Sequence, residues 1–264
     1  MCTPNQTGLH KIDFTDKVVI VTGASSGIGA EAAVAFASYG ATLTLVGRDE
    51  TRTLHTAQRC VAKNKLVPLW LLLDLSLPGS CETVISKTIE MYGKIDVVVN
   101  CAGKIVQSSL YDSSMEAFDE VMNINFRVPY YLSQLALPYL VKTKGNIINI
   151  GSSMSKRFRP GFLPYIISKA ALETMTKHAA PELVSEGVRI NTISPGMTRT
   201  NILANFNRKN RMQQLTYEDL AMNMPNGQIL EPTEVALLIC LAASDVFPSL
   251  NGSELLLDGG ASMT

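Results

Sequence analysis

The chain has no excess of charge of either sign. Its 264 residues include 23 lysines and arginines and 23 aspartates and glutamates, so the formal net charge at pH 7 is zero. The longest basic cluster, at residues 208–211, is short, whereas a nucleic-acid-binding protein presents a sustained basic face. The sequence therefore argues against nucleic acid as a partner.

Long apolar runs are also missing. No run reaches the roughly 18 residues that a membrane-spanning helix needs, and the most apolar stretch, residues 235–244, predicts a buried helix instead. The first 14 residues are polar and lack the apolar core of a secretory signal. We therefore expect no membrane span and a cytoplasmic location.

Cysteine and histidine are scarce and scattered. The cysteines are odd in number and lack the spacing of metal ligands, a pattern typical of free thiols in a reducing compartment. The three histidines, His10, His55 and His178, are far apart in sequence. The cysteines are Cys2, Cys60, Cys81, Cys101 and Cys240. The sequence thus predicts no metal site.

Short apolar runs alternate with helical patterns along the chain. The runs are continuously apolar, which is typical of strands buried on both faces of a parallel sheet. The helical patterns end at Gly40, Gly93 and near Gly187, because glycine readily forms the left-handed cap of a helix. The predicted strands are 18–23, 42–47, 66–75, 96–103, 146–153, 188–196 and 254–260. This alternation predicts an α/β fold, a Rossmann-type doubly wound parallel sheet of about seven strands with helices on both faces.

No linker rich in glycine, serine or proline divides the chain, so we expect a single domain over residues 1–264. The least regular stretch, residues 197–226, follows the sixth predicted strand. It is interpreted as a flap over a substrate pocket or as an ordinary helical hairpin on the surface, and both interpretations stay open.

A glycine-rich turn follows the first predicted strand and precedes an alanine-rich helix. Its glycines are Gly23, Gly27 and Gly29, a variant of the dinucleotide fingerprint. Glycines allow close approach of the backbone, and the N–H groups at the helix N-terminus can bind a pyrophosphate. Ser25 and Ser26 add hydroxyl donors. The turn therefore predicts dinucleotide binding.

The end of the second predicted strand bears on the choice of dinucleotide. An acidic residue there would bind a ribose 2′-hydroxyl, but Gly47 ends the strand and Arg48 follows it. An arginine at this position can hold a 2′-phosphate by a charge-assisted hydrogen-bonded fork. The sequence favours NADP(H); NAD(H), with Arg48 as an ordinary loop residue, stays an alternative.

A tyrosine and a lysine lie one helical turn apart, at Tyr165 and Lys169. Positions i and i+4 share a helix face, and a cation there stabilises a phenolate over a phenol. A phenol with a lowered pKa can act as a general acid or base. Taken alone, the pair could equally be a surface feature of an amphipathic helix.

Several segments together resemble the short-chain dehydrogenase/reductase family. They are TGASSGIG (22–29), LLLDLS (71–76), NCAG (100–103), VMNINF (121–126), INIGSS (148–153), YIISK (165–169), SPGMTRT (194–200) and LLLDGG (255–260). The resemblance extends over essentially the whole chain, from about residue 17 to residue 260. One departure is Cys101, which replaces the second asparagine of the family's N-N-A-G.

The resemblance implies a bound nicotinamide dinucleotide and a catalytic set of four residues. The catalytic set maps to Asn125, Ser152, Tyr165 and Lys169. Ser152 is preferred to Ser153 because it lies 13 residues before Tyr165, and neighbours in a strand point to opposite faces. Cofactor contacts beyond the glycine loop and Arg48 map to Ile28, Asp74, Leu75, Asn100, Ala102, Gly103, Tyr165, Lys169, Pro195, Gly196, Thr198 and Thr200.

The chemistry of these side chains agrees with carbonyl reduction or alcohol oxidation. Hydride transfer to a carbonyl creates an alkoxide, which needs hydrogen-bond donors and then a proton. Ser152 can donate to the carbonyl oxygen and Tyr165 can deliver the proton. We expect Lys169, together with the positive oxidised nicotinamide, to lower the pKa of Tyr165, and Asn125 to position a water next to Lys169.

The sequence therefore predicts an NADP(H)-dependent oxidoreductase that interconverts a secondary alcohol and a ketone or aldehyde. One alternative is an NAD(H)-dependent alcohol dehydrogenase. Another is a dinucleotide-binding sensor or scaffold without turnover, although such a protein should have lost Ser152, Tyr165 or Lys169. An enoyl reductase of the family would have a longer spacing between tyrosine and lysine.

Methionines and aromatic residues indicate an apolar pocket for a bulky carbonyl compound, such as a steroid or terpenoid. The predicted substrate contacts are Ser152, Met154, Phe158, Leu163, Tyr165, Met197 and Met222. The resemblance also implies a homotetramer or homodimer, formed through residues 129–140 and 170–180 and the C-terminal strand.

Overall fold

A computed structural model of the chain describes residues 11–111, 114–157, 159–201, 216–222 and 224–263. Within these ranges strands alternate with helices. The strands are β1 (Val18–Thr22), β2 (Thr42–Gly47), β3 (Leu69–Leu72), β4 (Val97–Asn100), β5 (Asn146–Ile150), β6 (Arg189–Pro195) and β7 (Glu254–Leu257). The α-helices are α1 (Gly27–Ser38), α2 (Glu50–Asn64), α3 (Ser80–Tyr92), α4 (Met115–Met122), α5 (Val128–Thr143), α6 (Leu163–Leu183), α7 (Tyr217–Ala221) and α8 (Pro232–Ala243).

The seven strands found in the described ranges form one sheet. Their order is β3-β2-β1-β4-β5-β6-β7, and every neighbouring pair is parallel. The strand order reverses between β1 and β4, and sheets of this kind bind ligands outside the carboxyl ends of the strands at that point. The predicted doubly wound fold is therefore confirmed, and its topology locates the ligand site.

Helices cover both faces of the sheet and enclose two apolar cores. Alternate residues of a strand point to opposite faces, so Val19 and Val21 of β1 pack into one core with Phe36 of α1. Ile20, between them, packs into the other core with Leu132 of α5. Helices α1, α2 and α8 cover the first face, whereas α3, α5 and α6 cover the second.

The central strands and the edge strands differ in burial. β1, β4 and β5 are buried at every position, as their continuous apolar sequences predict. β3 alternates between half-buried and exposed residues, and β7 is half-buried throughout. The prediction of burial on both faces is wrong for these two strands, because each is paired along one side only in the described sheet.

Two glycines end helical segments as predicted. Gly93 follows α3 with a φ of 74°, and Gly187 follows the helical turn after α6 with a φ of 75°. A side chain is disfavoured in this left-handed conformation. The helices of the described residues are all too short or too polar to cross a membrane.

Candidate active site

A cleft of about 410 Å³ opens at the carboxyl ends of the strands. It is lined by the turns after β1, β4 and β5, by the ends of β2 and β6, and by the N-terminal half of α6. The predicted cofactor residues in its lining are Gly23, Ser25, Ser26, Gly27, Ile28, Gly29, Arg48, Asp74, Leu75, Ala102, Gly103, Tyr165, Lys169, Pro195, Gly196, Thr198 and Thr200. Residues distant in sequence thus meet around one cavity.

The turn between β1 and α1 has no room for side chains at its glycines. A Cβ added to Gly29 would lie 2.4 Å from the carbonyl oxygen of Gly23. Gly27 has a φ of 57°, and a Cβ there would lie 2.9 Å from Cγ2 of Thr200. The turn is therefore tight, and the N-terminus of α1 points its free N–H groups into the cleft, which fits a pyrophosphate.

Two arginines stand where β2 ends and α2 begins, on the side of the cleft that the sequence predicts for the adenosine; we call it the adenosine side. Nη1 of Arg48 lies 3.3 Å from Oδ2 of Asp74, and the Arg48 side chain is 74% exposed. Arg52, one helical turn later, lies with its Nε 3.0 Å from Oδ2 of Asp49. Both arginines line the cleft, so a phosphate there would meet two guanidinium groups that are each held by one carboxylate.

The two carboxylates at this rim are held in their charged forms. Burial raises the pKa of Asp74, but hydrogen bonds from Ser76 and the neighbouring Arg48 outweigh it and hold that pKa below the ordinary value. Asp49 caps the N-terminus of α2 by accepting a hydrogen bond from Arg52 N at 2.9 Å, and this bond lowers its pKa. The Asp49 carboxylate is therefore already occupied by the helix cap.

At the other end of the cleft, α6 carries Tyr165 and Lys169 on one face. Pro164 lies in the first turn of this helix, where its missing N–H leaves no hydrogen bond unmade. Nζ of Lys169 is 5.8 Å from the centre of the Tyr165 ring and donates to the carbonyl oxygen of Ile150 at 2.6 Å. Both side chains are buried, so the ammonium and the phenol interact in a low-dielectric site.

Burial dominates the titration of this pair. It raises the pKa of Tyr165 above its ordinary value, and a hydrogen bond with Ser152 opposes this by a smaller amount. It also lowers the pKa of Lys169 to about 8, although Cys101 and Glu173 raise it. In the chain by itself, burial is the largest influence on the pKa of Tyr165. That Lys169 and a positive oxidised nicotinamide together lower this pKa stays a prediction.

Ser152 lies in an extended backbone at the end of β5 and begins a short 3₁₀-helix, Ser153–Lys156. Its Oγ accepts a hydrogen bond from Met154 N at 3.2 Å. The same hydroxyl faces Tyr165 and lowers the pKa of its phenol, against the larger effect of burial. Ser153 is also buried and lines the cleft, but the hydroxyl that acts on the phenol is that of Ser152.

Asn125 lies in a π-helical turn, Asn123–Arg127, between α4 and α5. Pro129 has no N–H, so the regular i+4 hydrogen bond to the Asn125 carbonyl cannot form, and a wider turn results. The Asn125 amide accepts from Lys104 N and donates to Lys104 O, both at 2.8 Å, and donates to Ser168 Oγ at 3.0 Å. It thereby joins the turn after β4 to α6.

Some predicted residues lie away from the cleft lining. Asn100 is buried beneath the cleft and donates to Asn149 Oδ1 at 2.9 Å and to Ser133 Oγ at 3.1 Å. Leu163 is not part of the lining, and Met222 is 79% exposed. Met154 and Met197 do line the cleft, whereas Phe158 lies outside the described residues.

The predicted flap, residues 197–226, is described only at its two ends. Met197 and Arg199 exchange backbone hydrogen bonds with Leu230 at 3.0 and 2.9 Å. The hydroxyl of Tyr217 accepts from Thr200 N at 2.9 Å and donates to Thr200 O at 2.5 Å. The two described ends are thus joined next to the cleft.

Sequence reasoning missed several residues of the cleft. Arg52 could have been found, because it follows Arg48 by one helical turn on an acid-capped helix. Lys104 and Glu120 form an ion pair at the cleft wall, and no spacing rule joins them. Within the described ranges, no cluster of histidine, cysteine and acidic residues could hold a metal ion.

Three comparisons with known proteins agree with this fold. A family model described as "Enoyl-(Acyl carrier protein) reductase" matches residues 23–262. The chain is 33% identical over 251 residues to an L-fucose dehydrogenase of Bos taurus, covering 95% of this chain and 91% of that protein. It is 32% identical over 247 residues to a 3-oxoacyl-acyl-carrier-protein reductase of Thermotoga maritima, covering 92% and 97%.

Solved structures are similar over nearly the whole chain. A short-chain dehydrogenase/reductase of unknown function from Caenorhabditis elegans, with cofactor, has a TM-score of 0.87 and 29% identity, covering 95% of this chain and 97% of that one. A short-chain type dehydrogenase/reductase from Mycobacterium marinum has a TM-score of 0.86 and 27% identity, covering 96% and 98%.

The fold and the cleft define a dinucleotide-binding oxidoreductase. The chain belongs to the short-chain dehydrogenase/reductase family. Members of this family bind a nicotinamide dinucleotide and act on alcohol or carbonyl groups, and the predicted family membership is confirmed.

Proposed function

We propose that this protein is an NADP(H)-dependent oxidoreductase that interconverts a secondary alcohol and a ketone or aldehyde. The observation that carries the proposal is the meeting of Ser152, Tyr165 and Lys169 in one cleft with the glycine turn. A sensor or scaffold would not need this arrangement, because dinucleotide binding alone requires no buried phenol beside a serine and a lysine.

In this proposal the cofactor supplies or accepts the hydride, and the chain manages the oxygen and its proton. Ser152 Oγ donates a hydrogen bond to the substrate oxygen, which stabilises the negative charge that develops there. Tyr165 delivers the proton to that oxygen or removes it. The charge of Lys169 favours the phenolate when the proton leaves.

Asn125 supports this arrangement from behind. A Cβ at Gly103 would lie 3.3 Å from Asn125 Oδ1 and 3.6 Å from Lys169 Nζ. The hydrogen bonds between Asn125 and the Lys104 backbone are therefore next to the ammonium of Lys169. We propose that Asn125 also orders a water through which Lys169 exchanges protons with solvent.

The arginines at the adenosine side support NADP(H) as the cofactor. Gly47 ends β2, and the nearest acid, Asp49, is occupied as the helix cap of α2. The ion pair between Arg48 and Asp74 is exposed, with 3.3 Å between its nitrogen and oxygen atoms. Exposed ion pairs contribute little to the free energy of unfolding. A 2′-phosphate can therefore displace Asp74 from Arg48 and recruit Arg52 at small cost. NAD(H) is the alternative.

Titration of the purified protein with NADPH and with NADH tests the cofactor. We expect NADPH to bind at least about tenfold more tightly, which corresponds to about 1.4 kcal/mol. Tighter binding of NADH would overturn the assignment of NADP(H) and direct the search to alcohol oxidation. Failure of both to bind would contradict dinucleotide binding itself, for an oxidoreductase and for a dinucleotide-binding scaffold alike.

Turnover with a carbonyl panel tests the reaction. The panel should contain bulky apolar ketones, because Met154 and Met197 line the cleft. It should also contain a 3-oxoacyl thioester, with an enoyl thioester as a control, and L-fucose should be tested with the oxidised cofactor, because the relatives' names refer to such compounds. The spacing of four between Tyr165 and Lys169 favours carbonyl over enoyl reduction, so reduction of the enoyl compound alone would contradict the proposal.

We further propose a homotetramer or homodimer in the cytoplasm. Tyr130 of α5 and Ile167 of α6 expose 52% and 40% of their surfaces, and such apolar groups on two helices can pair with a second copy. The described cysteines Cys60, Cys81, Cys101 and Cys240 are free thiols, which suits a reducing compartment. Sedimentation measures the assembly, and a monomer at micromolar concentration would contradict it.

A further inference from the structure

A cluster of charged groups lies behind the proposed catalytic residues, and the mechanism above does not use it. Glu173 of α6 is 4% exposed. Lys156 Nζ lies 2.5 Å from Glu173 Oε2 and 2.7 Å from Glu254 Oε2. We call Glu173, Glu254, Lys156, Ser155 and Ser194 the Glu173 cluster. Glu173 is buried whereas Lys156 reaches solvent, and a buried carboxylate beside the proposed catalytic residues calls for a functional explanation.

The cluster reaches Ser152 through the 3₁₀-helix that Ser152 begins. Ser155 Oγ contacts Glu173 Oε1 and lies 2.7 Å from the carbonyl oxygen of Ser152. Lys156, the next residue, contacts the other oxygen of Glu173. Glu173 thus fastens the segment that follows Ser152 at two consecutive residues, directly onto α6.

The same helix carries the other two proposed catalytic groups. Tyr165, Lys169 and Glu173 follow one another at intervals of four residues and share a face of α6. The segment with Ser152 and the helix with Tyr165 are therefore held together by Glu173. Loss of this tie would let Ser152 move relative to the phenol, and small displacements in an active site are costly.

The Glu173 cluster also contacts β6 and β7, at a third side of the cleft. Glu254 of β7 accepts from Ser194 Oγ at 2.8 Å, and Ser194 precedes Pro195 and Gly196, which line the cleft. Lys156 connects this strand pair to α6. The cluster therefore links three chain segments that surround the reacting end.

Glu173 also acts on Lys169 through its negative charge. Burial is the largest influence on the pKa of Lys169 and lowers it, while Cys101 and Glu173 raise it. Cys101, at the end of β4, has a pKa that burial raises to about 12, so its thiol is neutral near pH 7. Tyr165 faces Lys169 from the same helix, and Lys156 and Glu254 face Glu173 from the neighbouring segments.

We propose, on the basis of the function proposed above, that Glu173 is a positioning residue for the reaction. Through Ser155 and Lys156 it fixes Ser152 against Tyr165, and it places a negative charge next to Lys169. Its contacts and its charge can be separated by substitution, because aspartate keeps the charge at a shorter reach while glutamine keeps the reach without the charge.

The test compares Glu173→Gln and Glu173→Asp with Glu182→Gln, an exposed glutamate on the same helix. We expect Glu173→Gln to lower kcat about tenfold while the Kd for NADPH stays within about twofold. Removing the negative charge lowers the pKa of Lys169, so the midpoint of the kcat–pH profile should move about half a pH unit lower. Glu173→Asp should lower kcat without moving the midpoint, and Glu182→Gln should change neither.

A second readout does not depend on turnover. Competitive labelling of Lys169 with acetic anhydride against pH, followed by mass spectrometry, reports the midpoint at which its amine becomes neutral. That midpoint should fall in Glu173→Gln and stay in the other two variants. A wild-type protein that reduces no carbonyl compound contradicts the proposed function, whereas the labelling still tests the charge of Glu173.

Two outcomes would overturn the role of Glu173. One is a folded Glu173→Asp protein with unchanged kcat, which would remove the positioning of Ser152, because aspartate no longer reaches Ser155 and Lys156. The other is an unchanged labelling midpoint, which would remove the effect of the Glu173 charge on Lys169. Thermal unfolding of each variant identifies a loss of kcat that follows from unfolding, and Glu173→Asp then serves as the folded comparison.

Discussion

The two ends of the cleft are built in opposite ways. At the reacting end, Ser152, Tyr165 and Lys169 line the cleft and Asn125 lies behind them. All four are buried, and hydrogen bonds hold the side chains of Asn125, Ser152 and Lys169. At the adenosine end, Arg48 and Arg52 are exposed and each pairs with one carboxylate. We call the first set the catalytic floor and the second the arginine rim.

The difference reflects what each end must do. Proton transfer needs groups held to within a fraction of an ångström, and burial provides that at a cost in desolvation. Binding a phosphate needs charge that can rearrange, and exposed side chains provide it without loss of stability. Substitutions in the floor should therefore change the rate and the stability, whereas substitutions in the rim should change the affinity for one cofactor only.

The largest expected effect is that of Tyr165→Phe. The substitution removes the proton donor and leaves the ring, so kcat should fall about 1,000-fold while the Kd for NADPH changes less than about twofold. Steady-state kinetics and a binding titration measure the two quantities. Retained turnover would disprove the role of Tyr165, and a parallel loss of binding would show that the floor and the rim are not separable.

The next largest effect is that of Lys169→Met on the free energy of unfolding, and its sign follows from the lowered pKa of Lys169. The pKa of this lysine is about 8 in the folded chain against 10.5 ordinarily, so the unfolded chain binds more protons between these values and stability rises with pH there. Below pH 8 the whole cost of burying the ammonium remains. Lys169→Met should therefore raise the free energy of unfolding at pH 7 by about 2 kcal/mol while abolishing turnover.

Denaturation at pH 7 and at a pH above 10 checks this expectation. The advantage of Lys169→Met should shrink as the pH rises from 8 towards 10.5, because the wild-type amine becomes neutral in both states. A variant that is less stable than the wild type at pH 7 would mean that the hydrogen bond from Lys169 to Ile150 outweighs desolvation. Burial of Lys169 would then not lower the free energy of unfolding.

Much of the fold and of the catalytic floor is readable in the sequence because it depends on local spacing. Apolar runs and glycine stops predict the strands and helices, and the interval between Tyr165 and Lys169 places both on one face. Pro129 even signals the π-helical turn at Asn125, because it has no N–H for the regular helical hydrogen bond. These features depend on residues that are neighbours along the chain.

The remaining features depend on tertiary contacts. Glu173 and Glu254 are 81 residues apart, and only the order of the strands brings them to the same lysine. The raised pKa of Tyr165 follows from complete burial, which no spacing rule reports. Met222 was predicted as a substrate contact from its apolar character and its place in the proposed flap, but it is exposed and does not line the cleft.

The rim should respond to substitution more weakly and more selectively than the floor. Arg48→Ala should weaken NADPH binding about tenfold and leave NADH nearly unchanged, because only the 2′-phosphate contact is lost. Arg52→Ala should have a smaller effect of the same kind. Lys63→Ala, which removes an exposed charge from the same helix outside the cleft, is the matched control. Neither arginine variant should change the free energy of unfolding by more than about 0.5 kcal/mol.

Equal losses for NADPH and NADH would place the 2′-phosphate elsewhere. A general loss shared by Lys63→Ala would indicate long-range attraction, which salt screens. Repeating the titration at higher ionic strength separates these cases, because the contact with Arg48 is short-ranged and the general attraction is not.

The smallest expected effect lies between the two ends, at Tyr217. Its hydroxyl holds both the N–H and the carbonyl of Thr200, and Thr200 packs over Gly27 of the phosphate turn. Tyr217→Phe removes these hydrogen bonds from a half-buried site, so the Kd for NADPH and for NADH should both rise about threefold, with kcat unchanged. Tyr111→Phe, on a fully exposed ring, is the control. A loss of affinity for NADPH alone would assign Tyr217 to the arginine rim. A fall in kcat alone would assign it to the catalytic floor. An equal rise of the two Kd values identifies Tyr217 as a support for the pyrophosphate and nicotinamide that both cofactors share.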